Sequence, residues 1–136
     1  MKHLLFLLLL FPIALWGQKP FKGLFFDKDN NINLNIDFYE ESVEVPGLSF
    51  LGKTNGYMNG NIFGIWMVTS FKIKNNKATV NLSNDMGSDS QTIILIVNEK
   101  NELEYQTVGT QCIKKVVNRK LIKIPDSLHF ILKTNN

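Results

Sequence analysis

The sequence predicts an all-β domain, an antiparallel β-barrel or barrel-like sandwich of about seven or eight strands, behind an N-terminal signal peptide. Apolar and polar residues alternate with a period of two in several segments of the chain. Polar turn residues separate these segments at short spacing, and no helical periodicity of useful length follows residue 17. Antiparallel sheets with one buried face show this pattern.

The first segment indicates where the protein acts. Leu4–Phe11 is an unbroken apolar run that continues after Pro12 to Trp16. As a helix this run would span about 20 Å, which is short of the roughly 30 Å of a bilayer core. It is typical of a secretory signal peptide cut near Gly17, so we expect an exported protein, periplasmic or secreted, that does not span the membrane. The remaining residues, 18–136, are expected to form a single β domain.

The strands follow from the alternation, taken in chain order. Residues 24–26 precede a polar turn at 27–31, and residues 32–38 alternate between apolar and polar side chains. Residues 63–73 and 78–82 alternate on either side of Asn75-Asn76, a pair that tolerates the positive φ of a two-residue hairpin turn. The predicted cross-strand pairs are Lys74 with Lys77, Ile73 with Ala78, Phe71 with Val80 and Thr69 with Leu82.

The second half of the chain predicts four more extended segments. These are 91–97, 102–108, a long strand over 113–124 that bends, and 128–133.

Composition excludes some functions. Fourteen of the 15 basic residues are Lys, and Arg119 is the only Arg, which argues against a nucleic-acid reader that depends on bidentate arginines. Cys112 is the only cysteine, so the chain forms no internal disulfide. We expect Cys112 to be buried and inert at the start of a strand, with an exposed reactive thiol as the alternative.

Charge is distributed unevenly along the chain. Residues 27–44 hold six acidic residues against one Lys, a net charge of −5, and residues 107–136 hold six basic residues against one Asp, a net charge of +5. One interpretation is a basic surface for a polyanion such as a glycan or a lipid headgroup, formed by Lys114, Lys115, Arg119 and Lys120. The favoured interpretation is that the first and last strands are adjacent and pair their charges.

Residues 47–54 match the G-x-x-x-x-G-K-[ST] phosphate-binding loop in full. That motif must open a helix, whose N-terminus supplies the anion site. Here the Gly- and Asn-rich residues 55–61 follow, and no βαβ pattern is present. We therefore predict that the match is coincidental and that Lys53 binds no nucleotide.

The same region has the features of a recognition loop. Five of the nine glycines lie between 47 and 64, with aromatic and apolar residues among them. A long Gly-rich loop on a rigid sheet is a frequent site of recognition. We expect a partner to contact Phe50, Tyr57, Met58 and Asn59; the alternative is a structural Ω-loop that closes one end of the barrel.

Catalytic and metal-binding residues are scarce. The mature chain has one histidine, His129, and one cysteine, which do not make a standard zinc site. Residues 27–31 begin like a calcium loop but lack its Gly and its bidentate Glu. Glu102 and Glu104 share a strand face about 7 Å apart, within the range of glycosidase carboxylates, but an ordinary solvated face is the default. No metal and no cofactor is expected.

Gly64-Ile65-Trp66 resembles the G-x-W motif of lipocalin-like barrels, and the resemblance implies that Arg119 stacks on Trp66. In that family the motif lies near the mature N-terminus, whereas about 46 residues precede it here. The likeness covers three or four residues, and the chain is not assigned to the family.

These observations favour an exported, non-catalytic binding module for a protein or a glycan, such as an inhibitor or an immunity factor. The first alternative is a carrier of a small apolar ligand inside the barrel, lined by Phe63, Met67, Phe71 and Leu95. The second alternative is a glycan hydrolase that uses Glu102 or Glu104.

Overall fold

The structure, a computed structural model, describes residues 19–86 and 89–133. The predicted signal peptide, residues 1–17, lies outside these ranges. Among the residues described, no helix has the length and apolar character needed to cross a bilayer.

The described residues form twelve strands and one short helical turn. The turn is a 3-10 helix at Ser49–Leu51. The strands are β1 Lys22–Asp27, β2 Ile32–Asp37, β3 Val43–Glu44, β4 Lys53–Thr54, β5 Gly56–Gly60, β6 Trp66–Lys74, β7 Lys77–Asn84, β8 Ser90–Val97, β9 Leu103–Val108, β10 Lys114–Val117, β11 Lys120–Lys123 and β12 Ser127–Leu132.

Eight of these strands close into an antiparallel barrel in the order β1-β12-β9-β8-β7-β6-β5-β2, with β2 returning to β1. This confirms the predicted all-β antiparallel fold and resolves it as a barrel. The first and last strands of the chain are neighbours, as expected. The other four strands form two small ribbons outside the barrel, β3–β4 and β10–β11.

Large side chains fill the barrel interior. Trp66, Tyr105, Phe25 and Phe130 are each at most 2% exposed, and aliphatic residues from most of the barrel strands pack around them. Because the inward side of each strand is apolar, closing the sheet removes this surface from water and stabilises the fold.

A second apolar cluster lies on the outside of the barrel wall. The ribbon β3–β4 covers this wall, and Val43 and Val45 pack there against Tyr57. Met67 and Ile65 pack against the same cluster. We call β3, the 3-10 turn and β4 the flap.

The hairpin β6–β7 confirms most of the predicted register. Lys74 pairs with Lys77, Ile73 with Ala78 and Phe71 with Val80. The predicted pair of Thr69 with Leu82 is wrong, because a β-bulge at Thr69 places Val68 opposite Leu82.

The bulge also reverses which side chains face inward. An extra residue in one strand shifts the two-residue period by one. Trp66 and Val68 therefore join the interior cluster, whereas Met67, expected to face inward, packs beneath the flap.

The predicted Gly-rich loop is largely a strand. Residues 56–60 form β5, which pairs with β2 on one side and β6 on the other. A Cβ atom at Gly56 would lie 2.4 Å from the carbonyl oxygen of Asn35, and one at Gly60 would lie 2.5 Å from that of Asn31. These glycines, with φ of 145° and 117°, let β5 lie tightly against β2 at both of its ends.

Candidate functional site: the basic hairpin

The segment predicted as one long bent strand, 113–124, is instead a hairpin. Val117 pairs with Lys120 across a two-residue turn at Asn118 and Arg119, whose φ angles are 52° and 67°. Two positive φ angles define a type I′ turn, which matches the twist of a two-stranded ribbon. Asn118 was the available sequence signal, since Asn tolerates the left-handed region whereas Arg rarely adopts it.

Two buried glutamines fix the base of this hairpin to the barrel. Gln91 Oε1 accepts a hydrogen bond of 2.7 Å from the Cys112 N–H, and Gln111 Oε1 accepts one of 3.1 Å from the Ile113 N–H. The N–H of Phe63 also donates to the carbonyl of Lys114 at 2.7 Å. The ribbon is therefore held at one end of the barrel. No local pattern singled out the two glutamines, because their role depends on contacts between residues distant in the chain.

The hairpin brings together the whole predicted basic surface. Lys114, Lys115, Arg119 and Lys120 lie on it, joined by Lys123, and residues 114–123 contain no acidic residue. Within 19–86 and 89–133, no carboxylate oxygen lies within 4.0 Å of any of these five cations. The hairpin cations are therefore not neutralised by ion pairs, although Asp89 lines the same cleft as Lys114. Lys114 and Lys123 lie opposite each other on one face of the ribbon, and Lys115 and Lys120 lie on the other face.

The favoured prediction of charge pairing with the acidic segment 27–44 is therefore wrong. The carboxylate of Asp37 is buried and accepts hydrogen bonds from the Ser42 hydroxyl and from two backbone N–H groups. Its cation is Lys22 on the neighbouring strand β1, at 3.8 Å. Burial opposes ionisation of Asp37, but these hydrogen bonds and Lys22 outweigh it and hold the pKa below its ordinary value.

Exposed apolar side chains accompany the cations. Val116 is 54% exposed, Leu121 52% and Ile122 44%. Leu121 also lines a cleft of about 180 Å³ between the hairpin and the barrel end, together with Phe63, Met86 and Lys114. The hairpin thus offers both charge and apolar contact to a partner.

Cys112 also lines this cleft. It lies two residues before β10, close to the predicted position at the start of a strand, but it is half-buried and not buried as predicted. Its Sγ lies 3.6 Å from the carbonyl oxygen of Thr110.

The other predicted surface is divided by the fold. Phe50 is 81% exposed on the 3-10 turn of the flap. Tyr57 is covered by the flap, Asn59 is half-buried in β5, and Met58 points into the barrel with no exposed surface. Met58 therefore offers a partner nothing, because its side chain packs with Trp66 in the interior.

The phosphate-loop match has no helix behind it. Lys53 begins strand β4 and forms an ion pair of 3.3 Å with Glu44. The 3-10 turn in the motif has three residues and ends at Leu51, before Lys53. This geometry lacks the helix N-terminus on which a phosphate site depends.

The features shared with lipocalin-like barrels do not come together. Trp66 is buried in the core, and its indole N–H donates to the carbonyl of Phe63 at 3.3 Å. Arg119 lies at the exposed tip of the hairpin. In the part of the chain that the structure describes, no cation–π contact joins the two residues.

Glu102, Glu104 and His129 form a second polar cluster on the barrel surface. His129 Nδ1 lies 2.6 Å from Glu104 Oε1, and Nε2 lies 3.0 Å from Glu102 Oε1. Asn98 Nδ2 donates to both carboxylates. The hydrogen bond to Glu104 raises the pKa of His129, and the charges of both glutamates outweigh the opposing effect of partial burial.

The calcium-like turn uses its first carboxylate internally. Asp27 Oδ1 accepts from the Asn30 N–H, and Oδ2 accepts from the His129 N–H at 3.0 Å. Across the described ranges, no three His, Cys, Asp or Glu side chains are grouped so as to hold a metal ion.

Comparison with known proteins finds no matching family model, no matching curated protein and no matching solved structure.

Proposed function

We propose that this chain is an exported, non-catalytic binding module that recognises a negatively charged partner protein through the hairpin β10–β11. The observation that carries this proposal is the group of five cations on one ribbon, none of which forms an ion pair within 4.0 Å among the described residues. Such a surface attracts anionic partners over several ångströms and accelerates their association.

The apolar side chains of the hairpin favour a protein partner over a polyanionic glycan. The sulfate or carboxylate groups of a glycan would be bound by the cations alone. The exposed side chains of Val116, Leu121 and Ile122 add binding free energy only when an apolar surface of the partner covers them. Protein interfaces combine an apolar centre with charged residues at the rim. Inhibitors and immunity factors act through interfaces of this kind, by covering a surface of the partner.

Two observations support surface binding over an internal carrier. Of the four residues expected to line a ligand cavity, only Leu95 is fully inside the barrel. Phe63 lies at the external cleft, Met67 packs beneath the flap, and Phe71 stacks on Phe38 at a centroid distance of 4.4 Å. The bulky side chains of the interior occupy the space that a ligand would need.

The position of His129 argues against the glycan hydrolase. Its ring lies between the carboxylates of Glu102 and Glu104 and contacts both of them. Paired glycosidase carboxylates need the sugar, and in inverting enzymes a water, in this space.

Charge neutralisation on the hairpin tests the proposal. The triple variant Lys115→Gln/Arg119→Gln/Lys120→Gln is compared with Lys72→Gln/Lys74→Gln/Lys77→Gln, which removes the same charge from the β6–β7 tip. The probe is fluorescein-labelled polyglutamate, followed by anisotropy at low and at physiological salt. At about 0.5–1 kcal/mol per cation, the hairpin triple should weaken binding about 10- to 100-fold, and the matched triple much less.

Equal losses of affinity in the two triple variants would show that binding depends on net charge alone and not on the hairpin. Parallel titrations with heparin and with vesicles containing phosphatidylglycerol identify the class of partner. Tighter binding to either of these than to polyglutamate would overturn the protein partner.

Export is tested by the mass of the protein recovered from cells that make it. We expect a mature chain that begins near Gln18 in the periplasmic or secreted fraction. Recovery of the intact chain, with Met1 or Lys2 at its N-terminus, from the cytoplasm would contradict export.

A further inference from the structure

The outer edge of β11 is an uncovered β-strand edge. All four of its residues are exposed, and among the strands of residues 19–86 and 89–133 it pairs only with β10. Exposed edges with unpaired backbone groups are templates for another strand, and proteins commonly protect them.

The register of the hairpin identifies which backbone groups face outward. A two-residue turn makes Val117 and Lys120 a hydrogen-bonded pair, and this state recurs at every second position. Lys115 with Ile122 is the next such pair, and the hydrogen bond from the Ile124 N–H to the Ile113 carbonyl continues the series. On β11, the N–H and C=O groups of Leu121 and Lys123 therefore point away from β10.

The contacts of β10, the other strand of the ribbon, agree with this assignment of outward groups. Lys114 lies opposite Lys123, and its carbonyl accepts from the Phe63 N–H outside the ribbon. Among the described hydrogen bonds, none uses the outward groups of Leu121 or Lys123.

We infer that the edge of β11 binds an extended acidic segment of the partner protein by strand addition. This inference rests on the proposed function and specifies its geometry. Backbone hydrogen bonds to Leu121 and Lys123 would supply affinity, and the side chains of β11 would select the sequence.

The side chains of β11 specify a pattern. Residues 120–123 read Lys-Leu-Ile-Lys, so the best opposing tetrapeptide is acidic, apolar, apolar, acidic. Each Lys then meets a carboxylate and each aliphatic residue meets another, and both kinds of cross-strand pair are stabilising. The pattern is a palindrome, so it suits either strand direction.

Two other occupants fit the same edge less well. A second copy of this chain, added antiparallel through β11, must pair outward residues with outward residues, so each register places a Lys of β11 opposite an aliphatic residue or another Lys and never opposite a carboxylate of β11. Insertion into a bilayer would bury the outward N–H and C=O groups of Leu121 and Lys123 without partners, which hydrocarbon does not tolerate.

Two short peptides test the inference on the full mature chain. One carries a Glu-Val-Val-Glu core and the other a Val-Glu-Glu-Val core, with identical flanks, composition and charge. Amide chemical shifts are followed by NMR during titration. We expect about tenfold tighter binding of the first peptide, because only its core matches all four cross-strand pairs, with the largest shifts at the Leu121 and Lys123 amides.

The outcomes separate the inference from the proposed function. Equal affinity of the two peptides, or shifts that avoid Leu121 and Lys123, would overturn strand addition and leave anion binding intact. If neither peptide binds while polyglutamate still binds, strand addition is likewise overturned and anion binding is left intact. Absence of binding by the peptides and by polyglutamate would remove the proposed function as well.

A proline variant tests the edge from the protein side. Leu121→Pro removes one outward N–H that the ribbon itself does not use, a position where an edge strand accepts proline. Leu121→Ala is the matched control, since it removes the side chain and keeps the N–H. We expect Leu121→Ala to retain most of the affinity for the first peptide and Leu121→Pro to lose it. Equal affinities of the two variants for the first peptide would contradict strand addition. If the amide spectrum shows that proline disrupts the hairpin, the comparison of the two peptides on the unaltered chain is the test of strand addition.

Discussion

Phe71 packs the β6–β7 hairpin against the aromatic rings of Phe38 and Phe21, and Phe71→Ala measures what this packing contributes to the free energy of unfolding. Its ring stacks on Phe38 with centroids 4.4 Å apart and an interplanar angle of 11°, and Phe38 stacks in turn on Phe21 at 5.9 Å. Truncating a fully buried Phe costs about 3–5 kcal/mol. Phe71 is only partly buried, so we expect Phe71→Ala to lower the free energy of unfolding by about 2–3 kcal/mol.

Urea denaturation of the mature chain measures this loss, with Ile73→Ala as the control. Ile73 is 36% exposed on the same strand, and its truncation should cost under about 1 kcal/mol. A cycle of Phe38→Leu and Phe71→Leu isolates the stacking, for which we expect a coupling of about 0.5–1.5 kcal/mol. An unchanged midpoint for Phe71→Ala, or a loss no larger than that of Ile73→Ala, would refute the placement of Phe71 in the core.

Three further predictions concern ionisable groups. Lys53→Ala should lower the free energy of unfolding by less than about 1 kcal/mol, since Lys53 forms an exposed ion pair. MgATP should leave the thermal midpoint of the protein unchanged, and a rise of several degrees would show that the protein binds the nucleotide. The pKa of His129 is raised in the folded state, so its stabilising effect is complete below the unfolded pKa near 6.5 and is lost as the pH rises through the folded pKa. NMR titration should show the raised pKa. His129→Gln should make the stability less dependent on pH in this range. Burial raises the pKa of Tyr105 to about 12, against the smaller opposing effect of Thr107 and Gln111 beside its hydroxyl, so stability should fall as the pH rises from 10 towards 12. Tyr105→Phe should remove that fall, and a stability profile in which the fall persists in Tyr105→Phe would assign it to another group.

The sequence predicted the parts of the fold that depend on local alternation. The β6–β7 register follows from Asn75-Asn76 and from one apolar face, and the structure confirms it as far as Phe71. The bulge at Thr69 was not predictable, because an inserted residue leaves the alternation on each side intact and only shifts its phase. Glycines predicted a loop at 56–60, since nothing local shows that β2 approaches Gly56 and Gly60 closely.

The candidate site was predicted in composition but not in arrangement. The sequence singled out Lys114, Lys115, Arg119 and Lys120, but a continuous strand over 113–124 would have spread these residues along a barrel wall. The turn at Asn118 and Arg119 instead folds them onto a separate ribbon. Asp37 forms its ion pair with Lys22 and not with the hairpin, and this depends on pairing between β1 and β2 that composition does not reveal.

The most direct test of the account is photo-crosslinking in cells that make this protein. A photoreactive residue is placed at Val116 on the hairpin, and in a separate strain at Phe50 on the flap, which are both exposed. We predict that Val116 captures an acidic protein of the exported fraction, and that Lys115→Gln/Arg119→Gln/Lys120→Gln abolishes the capture. Capture from Phe50 alone, or capture from Val116 that survives the loss of the three cations, would contradict recognition through the basic hairpin.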